Sequence, residues 1–385
     1  MLPKRKLTGS PFNEEITLLG MGCMRLPSAP EGSRVIDPIP ARGVLQYAYE
    51  SGINYFDTAY TYHHEKSESF VGSTLCQYPR ETYYLATKMP SWLLSDRQAV
   101  ESMFFEQLKN CQTEYFDFYL AHNMGASKIP ALESLGIYDF LRRQKELGRI
   151  RHLGFSFHDS PAVLQEIVDR YDWDFAQIQL NYLDWELQNA KRQYQILDQA
   201  GLQTIVMEPL RGGALVRLCP EAAEILQQAN PYITPTDWGL RFAASFPNVL
   251  TVLSGMSSRE QVFENVRTIA AFRPFSPSEL ETLRQALAAY RRSGAIPCTA
   301  CQYCMDCPSG VDISRLIGIY SQYLENHNGN QFLAHCHNLG KKSQPECCIA
   351  CGACLEKCPQ RLPIPDYMAQ MAELNRTLER PDWLG

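Results

Sequence analysis

The stretch Gly52-Ile53-Asn54-Tyr55-Phe56-Asp57-Thr58-Ala59-Tyr60-Thr61-Tyr62 carries the pattern that decides the fold. Its apolar segment, Ile53–Asp57, has the length and β-rich content of a buried strand and closes on a carboxylate. Similar runs recur at Thr17–Met24, Tyr83–Lys88, Phe116–His122, His152–Ser156, Phe175–Leu180, Thr204–Glu208 and Val249–Ser254. Helix-like stretches lie between them: Arg42–Ser51, Ser67–Cys76, Arg97–Cys111, Leu132–Leu147, Pro161–Tyr171 and Glu186–Ala200. Continuous apolar strands alternating with helices predict a parallel α/β sheet. Eight such units in roughly 250 residues are the size of a (β/α)8 TIM barrel. The competing doubly wound sheet is disfavoured, because no Gly-x-Gly-x-x-Gly follows the first run.

The residues that end the strands say where chemistry would sit. Asp57, Lys88, His122, Ser156, Gln179 and Glu208 fall at or near the C-terminal ends of strands two to seven. Barrel active sites are built on that face. One polar residue closing a strand is ordinary turn chemistry. An unbroken succession of them marks a candidate site.

Bulk properties narrow the classes. At 385 residues, 45% hydrophobic and 20% charged, the chain can bury a large core and a smaller appendage. A net charge of −6 without any Lys/Arg-rich run argues against nucleic acid and anionic membrane as partners. No apolar stretch approaches the ~18 residues of a membrane span. The opening Met1–Ser10 has charges but no apolar core, so no signal peptide is expected. Abundant thiols call for a reducing compartment, and the cytoplasm is the expected location.

A breaker-rich segment, Arg273-Pro274-Phe275-Ser276-Pro277, predicts a boundary between a barrel over 1–275 and a second domain over 276–385. Ser278 followed by Glu279 reads as the start of a capped helix to Arg292. Asp312–Leu324 and Asp366–Leu378 read as helices flanking a cysteine-rich region.

Ten of the fourteen cysteines lie between Cys298 and Cys358, eight of them in two runs. The first is Cys298-x-x-Cys301-x-x-Cys304-x-x-Cys307-Pro308, the second Cys348-x-x-Cys351-x-x-Cys354-x-x-x-Cys358-Pro359. The second has the spacing with which bacterial ferredoxins hold 4Fe–4S clusters, and the first is one residue short of it. In two-cluster ferredoxins the fourth cysteine of each run ligates the other cluster. The expected sets are therefore Cys298, Cys301, Cys304 with Cys358, and Cys348, Cys351, Cys354 with Cys307. Zinc knuckles pair Cys-x-x-Cys motifs for four ligands in total and fit three-in-a-row spacing poorly. A disulfide framework suits small secreted domains. The short first run leaves one cluster as the alternative to two. Cys347 is a spare candidate ligand, and Cys336 reads as a buried thiol.

With these residues in hand, the barrel region resembles the aldo-keto reductase superfamily. The resemblance is carried by the 52–62 segment, by Lys88 in Ala86-Thr87-Lys88, and by His122 in Asp117-Phe118-Tyr119-Leu120-Ala121-His122. It implies a catalytic tetrad of Asp57, Tyr62, Lys88 and His122, the tyrosine five positions after the aspartate. The ferredoxin-like tail places the resemblance with the bacterial and archaeal subgroup that carries iron–sulfur clusters. The chemistry implied is hydride transfer between NADP or NAD and a carbonyl or alcohol substrate. Tyr62 would give the proton, its pKa lowered from about 10 by Lys88. Asp57 would orient Lys88, and His122 would hydrogen-bond the substrate oxygen. The resemblance assigns cofactor contacts to Met24, Ser156, Gln179, Met207, Pro209 and Leu210, and to Gly255, Ser257, Gln261, Glu264 and Asn265 for the adenosine half. Arg211 with Gly212-Gly213 could support a pyrophosphate.

There are departures from that pattern. Met207 stands where many relatives have an aromatic residue, Phe157 replaces a polar residue, and Arg259 is the one cation in the 255–265 segment. They leave NADP against NAD open and admit a flavin at the same mouth. Tyr60, Trp92, Met124, Tyr182 and Trp185 are candidate pocket walls. Hydride transfer moves two electrons and a 4Fe–4S cluster takes one, so coupling the two calls for a mediator. An external ferredoxin or flavodoxin would then exchange electrons with the clusters. The alternatives are a carbonyl reductase with purely structural clusters, and a non-enzymatic nucleotide-binding electron-transfer or redox-sensing protein.

Overall fold

The computed structural model describes residues 1–30 and 33–378. The chain divides into two compact units: residues 1–209 with 236–275, and residues 210–235 with 276–385.

The first unit is a closed parallel barrel. Its strands are β1 (Leu19–Gly22), β2 (Tyr55–Asp57), β3 (Tyr84–Met89), β4 (Phe116–Met124), β5 (Ile150–Phe157), β6 (Phe175–Gln179), β7 (Gln203–Met207) and β8 (Val249–Ser254). They pair in sequence order, and β8 closes the ring on β1 through Val252 opposite Leu19. Every strand predicted from the sequence is present, with ends moved by at most two residues.

Side chains alternate along a strand, so one interior residue fixes the direction of those two and four positions away. The barrel interior is filled by Tyr55, Ala86, Phe118, Leu120, Phe175, Ile205, Leu250 and Leu253. Phe118 meets Tyr55 and Phe175 edge-on at 5.0 and 5.1 Å. Stepping toward the C-terminal rim from these positions gives Asp57, Lys88, His122, Gln179 and Met207. The period that packs the core therefore points these side chains into the mouth. The opposite parity faces the helices: Tyr119 packs on Phe104 at 5.3 Å, and Thr87 donates to Glu68 at 2.5 Å.

Two short strands, Lys4–Arg5 and Ile16–Thr17, form an antiparallel hairpin. The Arg5 guanidinium donates to the carbonyls of Ala244 and Phe246 at 2.8 and 2.9 Å, anchoring that hairpin to the chain before β8. Glu14, on the same segment, pairs with buried His152 and with Ser10.

The predicted helix Leu132–Leu147 is two helices, Ile129–Ser134 and Ile137–Glu146. Gly136 breaks it at φ 63°, a left-handed conformation that glycine adopts without a Cβ clash. The predicted Glu186–Ala200 helix likewise breaks at Asn189, φ 53°, into Asp184–Leu187 and Ala190–Gln199. The helices not anticipated include Pro220–Ala229, Pro235–Ala244, Gly329–His337 and the short Ala353–Lys357.

The second unit is helical. Helix Pro277–Arg292 starts from a capping box of Ser276 and Glu279, so the cap lies two residues before the Ser278 expected. The unit takes in residues 210–235, whereas the sequence placed its start at 276. Within it, Arg292 pairs with Glu221 at 2.5 Å between helices Pro277–Arg292 and Pro220–Ala229. Helices Ile313–Asn326, Gly329–His337 and Ile364–Thr377 bury Leu316, Ile317, Phe332, Leu333, Met368 and Met371 among themselves. Eight cysteines pack against or line this small core: Cys298, Cys304, Cys307, Cys347, Cys348, Cys354 and Cys358 flank it, and Cys336 lies within it.

Candidate functional site

At the barrel mouth the end of β2, the end of β3 and the turn after β2 converge on one ammonium group. Lys88 Nζ donates to Asp57 Oδ1 at 2.6 Å and to the Thr58 carbonyl at 2.8 Å, and lies 3.3 Å from the Tyr62 hydroxyl. Lys88 is 1% and Asp57 3% exposed, so this ion pair is desolvated. Tyr62 is held by a tight turn. His63, His64 and Glu65 follow it in the left-handed region, with φ 53°, 51° and 64°. Three consecutive non-glycine residues there cost roughly 1–2 kcal/mol each, and such strain gathers at functional sites. His122 comes from β4, its ring 6.2 Å from that of Tyr62 and 5.0 Å from that of Trp92. The structure thus brings together Asp57, Tyr62, Lys88 and His122.

Electrostatics set the resting protonation. Burial raises the Asp57 carboxyl above its ordinary value, while Lys88 opposes the shift through charge and hydrogen bond. The Tyr62 hydroxyl is pushed well above 10, by burial first and then by Asp57, Glu208 and Cys23, with Arg25 pulling the other way. This reverses the expectation that Lys88 lowers it. The ammonium is already committed to Asp57, and loss of water outweighs it. Burial, with Lys88 and His158 nearby, drives His122 well below 6.5, so the imidazole is neutral at pH 7. Asp57 Oδ2 and His122 Nδ1 are buried without a hydrogen-bond partner among the described residues.

The next three strands furnish polar groups. Ser156 Oγ accepts from the Asn123 backbone N–H at 2.7 Å, leaving its own hydrogen to donate. Gln179 Nε2 donates to Asp184 Oδ2 at 2.6 Å, and Asn181 Nδ2 bonds the Glu208 carbonyl at 2.9 Å. Met24, Met207 and Glu208 are half-buried, and Pro209 is buried. Glu208 sits at φ 55° and pairs with Arg25 at 2.9 Å. Beyond β8, Ser257 Oγ donates to the Arg25 carbonyl at 2.6 Å, and its N–H bonds Gln261 Oε1 at 2.7 Å. A Cβ on Gly255 would lie 3.1 Å from the Arg25 side chain, so the backbone passes close there. Asn265 bonds Ser254 at 2.9 Å, Glu264 is exposed, and Arg259 covers the Tyr47 ring at 5.1 Å.

Leu210 and Arg211 belong to the second unit, and the Arg211 guanidinium is buried there against Pro297 and Gln360. Of the candidate walls, Trp92 meets His122, whereas Tyr182 and Trp185 pack on Phe242 and Phe246. Arg25, Asn181 and Asp184 were missed. Asn181 lies two residues beyond Gln179 on the same parity, a signal legible in the sequence; Arg25 and Asp184 sit in loops with no periodicity to mark them.

In the second unit the eight cysteines of the two runs form no disulfide. No group of three or more His, Cys, Asp or Glu side chains among the described residues is gathered to hold a metal ion. The two runs nonetheless share a backbone form. Ala300 and Gln302 in the first are left-handed, φ 51° and 63°, and so are their counterparts Ala350 and Gly352, φ 52° and 78°. Burial raises the Cys304 thiol to about 12, helped by Cys301, Cys298 and Cys358. Burial also raises Cys354, with Cys348, Cys351 and Cys307 as neighbouring charges. Cys336 is 2% exposed and raised to about 12, by burial and then Glu346.

Comparison with known proteins decides the family. The aldo/keto reductase family matches residues 18–288. The chain belongs to the aldo/keto reductase family. A probable aldo-keto reductase of Glycine max is 33% identical over 37% of this chain and 42% of its own length. The uncharacterized oxidoreductase YqkF of Bacillus subtilis is 24% identical, over 73% of this chain and 95% of its own. Among solved structures, an aldo-keto reductase of Bacillus halodurans in its holo form superposes with TM-score 0.61 at 25% identity, covering 74% and 96% of the two chains. One from Klebsiella pneumoniae, in complex with NADPH, shares the fold with TM-score 0.60 at 21% identity, over 74% and 95%. This aldo/keto reductase is an oxidoreductase of that type, and no helix among the described residues is long and apolar enough to cross a membrane.

Proposed function

We propose that this chain interconverts a small carbonyl compound and its alcohol with a nicotinamide cofactor, Tyr62 serving as proton donor and acceptor. The observation that carries this is the buried Asp57–Lys88 pair whose ammonium lies 3.3 Å from the Tyr62 hydroxyl. The nicotinamide, when bound, supplies or takes the hydride. Every other task falls to side chains. Burial keeps Tyr62 protonated, so the acid is loaded at neutral pH. As its proton moves to the substrate oxygen, the phenolate left behind faces Lys88, which Asp57 and the Thr58 carbonyl hold in place. Neutral His122 can donate an N–H to the same oxygen as charge develops. Ser156 and Gln179 would take the carboxamide, beside Met207 and Pro209. Met24 would be a further cofactor contact, and Gly255, Ser257, Gln261, Glu264 and Asn265 would take the adenosine half, with Arg259 as the candidate for a 2′-phosphate. A flavin at the same mouth is the alternative that would mediate one-electron exchange.

The two cysteine runs are read as holding two 4Fe–4S clusters. A cubane offers a separate iron to each thiolate, so its ligands need not converge on one point as they do around a single ion. The charge neighbours of Cys304 and Cys354 support the sets Cys298, Cys301, Cys304, Cys358 and Cys348, Cys351, Cys354, Cys307. The matched left-handed residues in the two loops support a duplicated site. Clusters so held would exchange single electrons with an external carrier, in a reducing compartment such as the cytoplasm. Their packing against the small core of the second unit favours a structural role as a second reading.

The test is anaerobic titration of iron- and sulfide-reconstituted protein with NADPH and with NADH. Bleaching of cluster absorbance with a reduced-cluster EPR signal is expected if the clusters serve the reaction. Cofactor binding with unchanged clusters would leave them structural, and absence of nicotinamide binding would remove the reductase reading.

A further inference from the structure

We infer that Arg211 is the positioning residue that assembles the first cluster site, by clamping together the two chain segments that carry its thiols. The inference rests on the cluster reading above. Arg211 is fully buried in the second unit, at 0% exposure. A guanidinium is almost never buried without a specific purpose, because it stays charged at any accessible pH. One amino group of Arg211, Nη2, donates to the Pro297 carbonyl at 2.6 Å and also to Gln360 Oε1. Pro297 is the residue before Cys298, and Gln360 is the second after Cys358. These two cysteines lie sixty residues apart in the chain yet belong to one expected set, with Cys358 among the charge neighbours of Cys304. Cys301 and Cys304 need no such aid, since the loop itself brings them to Cys298.

The backbone is arranged for this reach. Arg211, Gly212 and Gly213 are all left-handed, at φ 49°, 63° and 91°. Two glycines follow the one residue that must pay for that conformation with a Cβ. The arginine type also matters. Its planar guanidinium holds Nη2, which serves both acceptors, in a fixed orientation, which an ammonium on a flexible stem cannot do as rigidly. The second set is bridged differently: Lys357, three residues after Cys354, pairs at 3.5 Å with Asp306, the residue before Cys307.

The test uses the full chain, reconstituted anaerobically with ferrous iron and sulfide, as wild type, Arg211→Gln, Arg211→Lys and Gln360→Ala. Iron and acid-labile sulfide are counted per chain, and cluster potentials are read by EPR titration. In parallel, the metal-free chains are alkylated and the rate at each cysteine is followed by mass spectrometry. Wild type should carry about eight irons. Arg211→Gln should fall to about four and lose one of the two cluster signals, with Arg211→Lys in between. Alkylation of Cys298 and Cys358 should rise several-fold in Arg211→Gln while Cys348, Cys351 and Cys354 keep their rates. If Arg211→Gln does not fold by circular dichroism, Gln360→Ala, which removes one acceptor only, should still give faster iron loss from one cluster. Full iron, unchanged potentials and unchanged alkylation in the variants would overturn the clamp while leaving the clusters in place. A wild-type chain that takes up no iron and sulfide would overturn the cluster reading, and the clamp with it.

Discussion

Replacing Lys88 by methionine tests the electrostatic logic of the barrel mouth. The substitution keeps the length and apolar stem of the side chain and removes the charge that faces Asp57 at 2.6 Å. Asp57 is 3% exposed, and its second oxygen has no partner among the described residues, so nothing nearby replaces the ammonium. Breaking a buried ion pair from one side costs about 3–5 kcal/mol. Set against the ~5–15 kcal/mol of a whole protein, that is a large share. Part of it is recoverable by protonation. Burial already raises the Asp57 carboxyl, and Lys88 supplies both influences that hold it down. Without Lys88 its folded pKa rises further above the unfolded one. A raised folded pKa stabilises below the unfolded pKa, and that stabilisation is lost as pH rises through the folded value. Lys88→Met should therefore be least stable at alkaline pH and regain stability on acidification toward pH 5. The assay is the urea midpoint between pH 5 and 8.5, followed by tryptophan fluorescence. The double variant Asp57→Asn with Lys88→Met should recover at least half of the loss, since no charge is left stranded. A loss below about 1 kcal/mol, flat with pH and not relieved by the second substitution, would refute the reasoning.

Other consequences are open to direct measurement. Burial pushes the Glu14 carboxyl up, but hydrogen bonds and charge from His152 and a hydrogen bond from Ser10 prevail and hold it at about 2, against an ordinary 4.5. A depressed folded pKa gives stability above the unfolded value and loses it as pH falls toward the folded one, so stability should decline between pH 4.5 and 2, and Glu14→Gln should flatten that decline. A Cβ at Gly72 would lie 2.6 Å from the Asn110 carbonyl oxygen, so Gly72→Ala should lower the urea midpoint by the equivalent of at least ~1–3 kcal/mol. If Arg259 holds a 2′-phosphate, Arg259→Ala should raise KM for NADPH about tenfold, roughly 1.4 kcal/mol, and leave KM for NADH unmoved.

The barrel was legible because its signal is redundant. Eight short apolar runs, six of them followed by a helical stretch, leave few topologies, and the alternation that buries Tyr55, Phe118 and Phe175 also aims Asp57, His122 and Gln179 at the mouth. Strand ends pointed to Asp57, Lys88 and His122, and the family resemblance implied that Tyr62 joins them. What did not follow was set by tertiary burial. The upward push on Tyr62 depends on how completely water is excluded, and the Arg25–Glu208 pair joins residues 183 apart in the chain. Arg211 read as a phosphate ligand because arginine beside two glycines has that use in many loops. Its burial against Pro297 and Gln360 depends on where the chain returns some ninety and one hundred and fifty residues later, at separations of 86 and 149. The helix breaks at Gly136 and Asn189 were visible only as residue types that tolerate left-handed backbone, not as residues that adopt it.

The central claim is that Tyr62 moves the proton in a nicotinamide-dependent carbonyl reduction. The most direct measurement follows nicotinamide oxidation at 340 nm with a panel of aldehydes and ketones, comparing wild type with Tyr62→Phe and measuring cofactor binding by fluorescence in both. The account predicts carbonyl-dependent turnover in wild type and a kcat lower by ~10²–10⁴ in Tyr62→Phe, with cofactor affinity preserved. Equal turnover in the two proteins would contradict it.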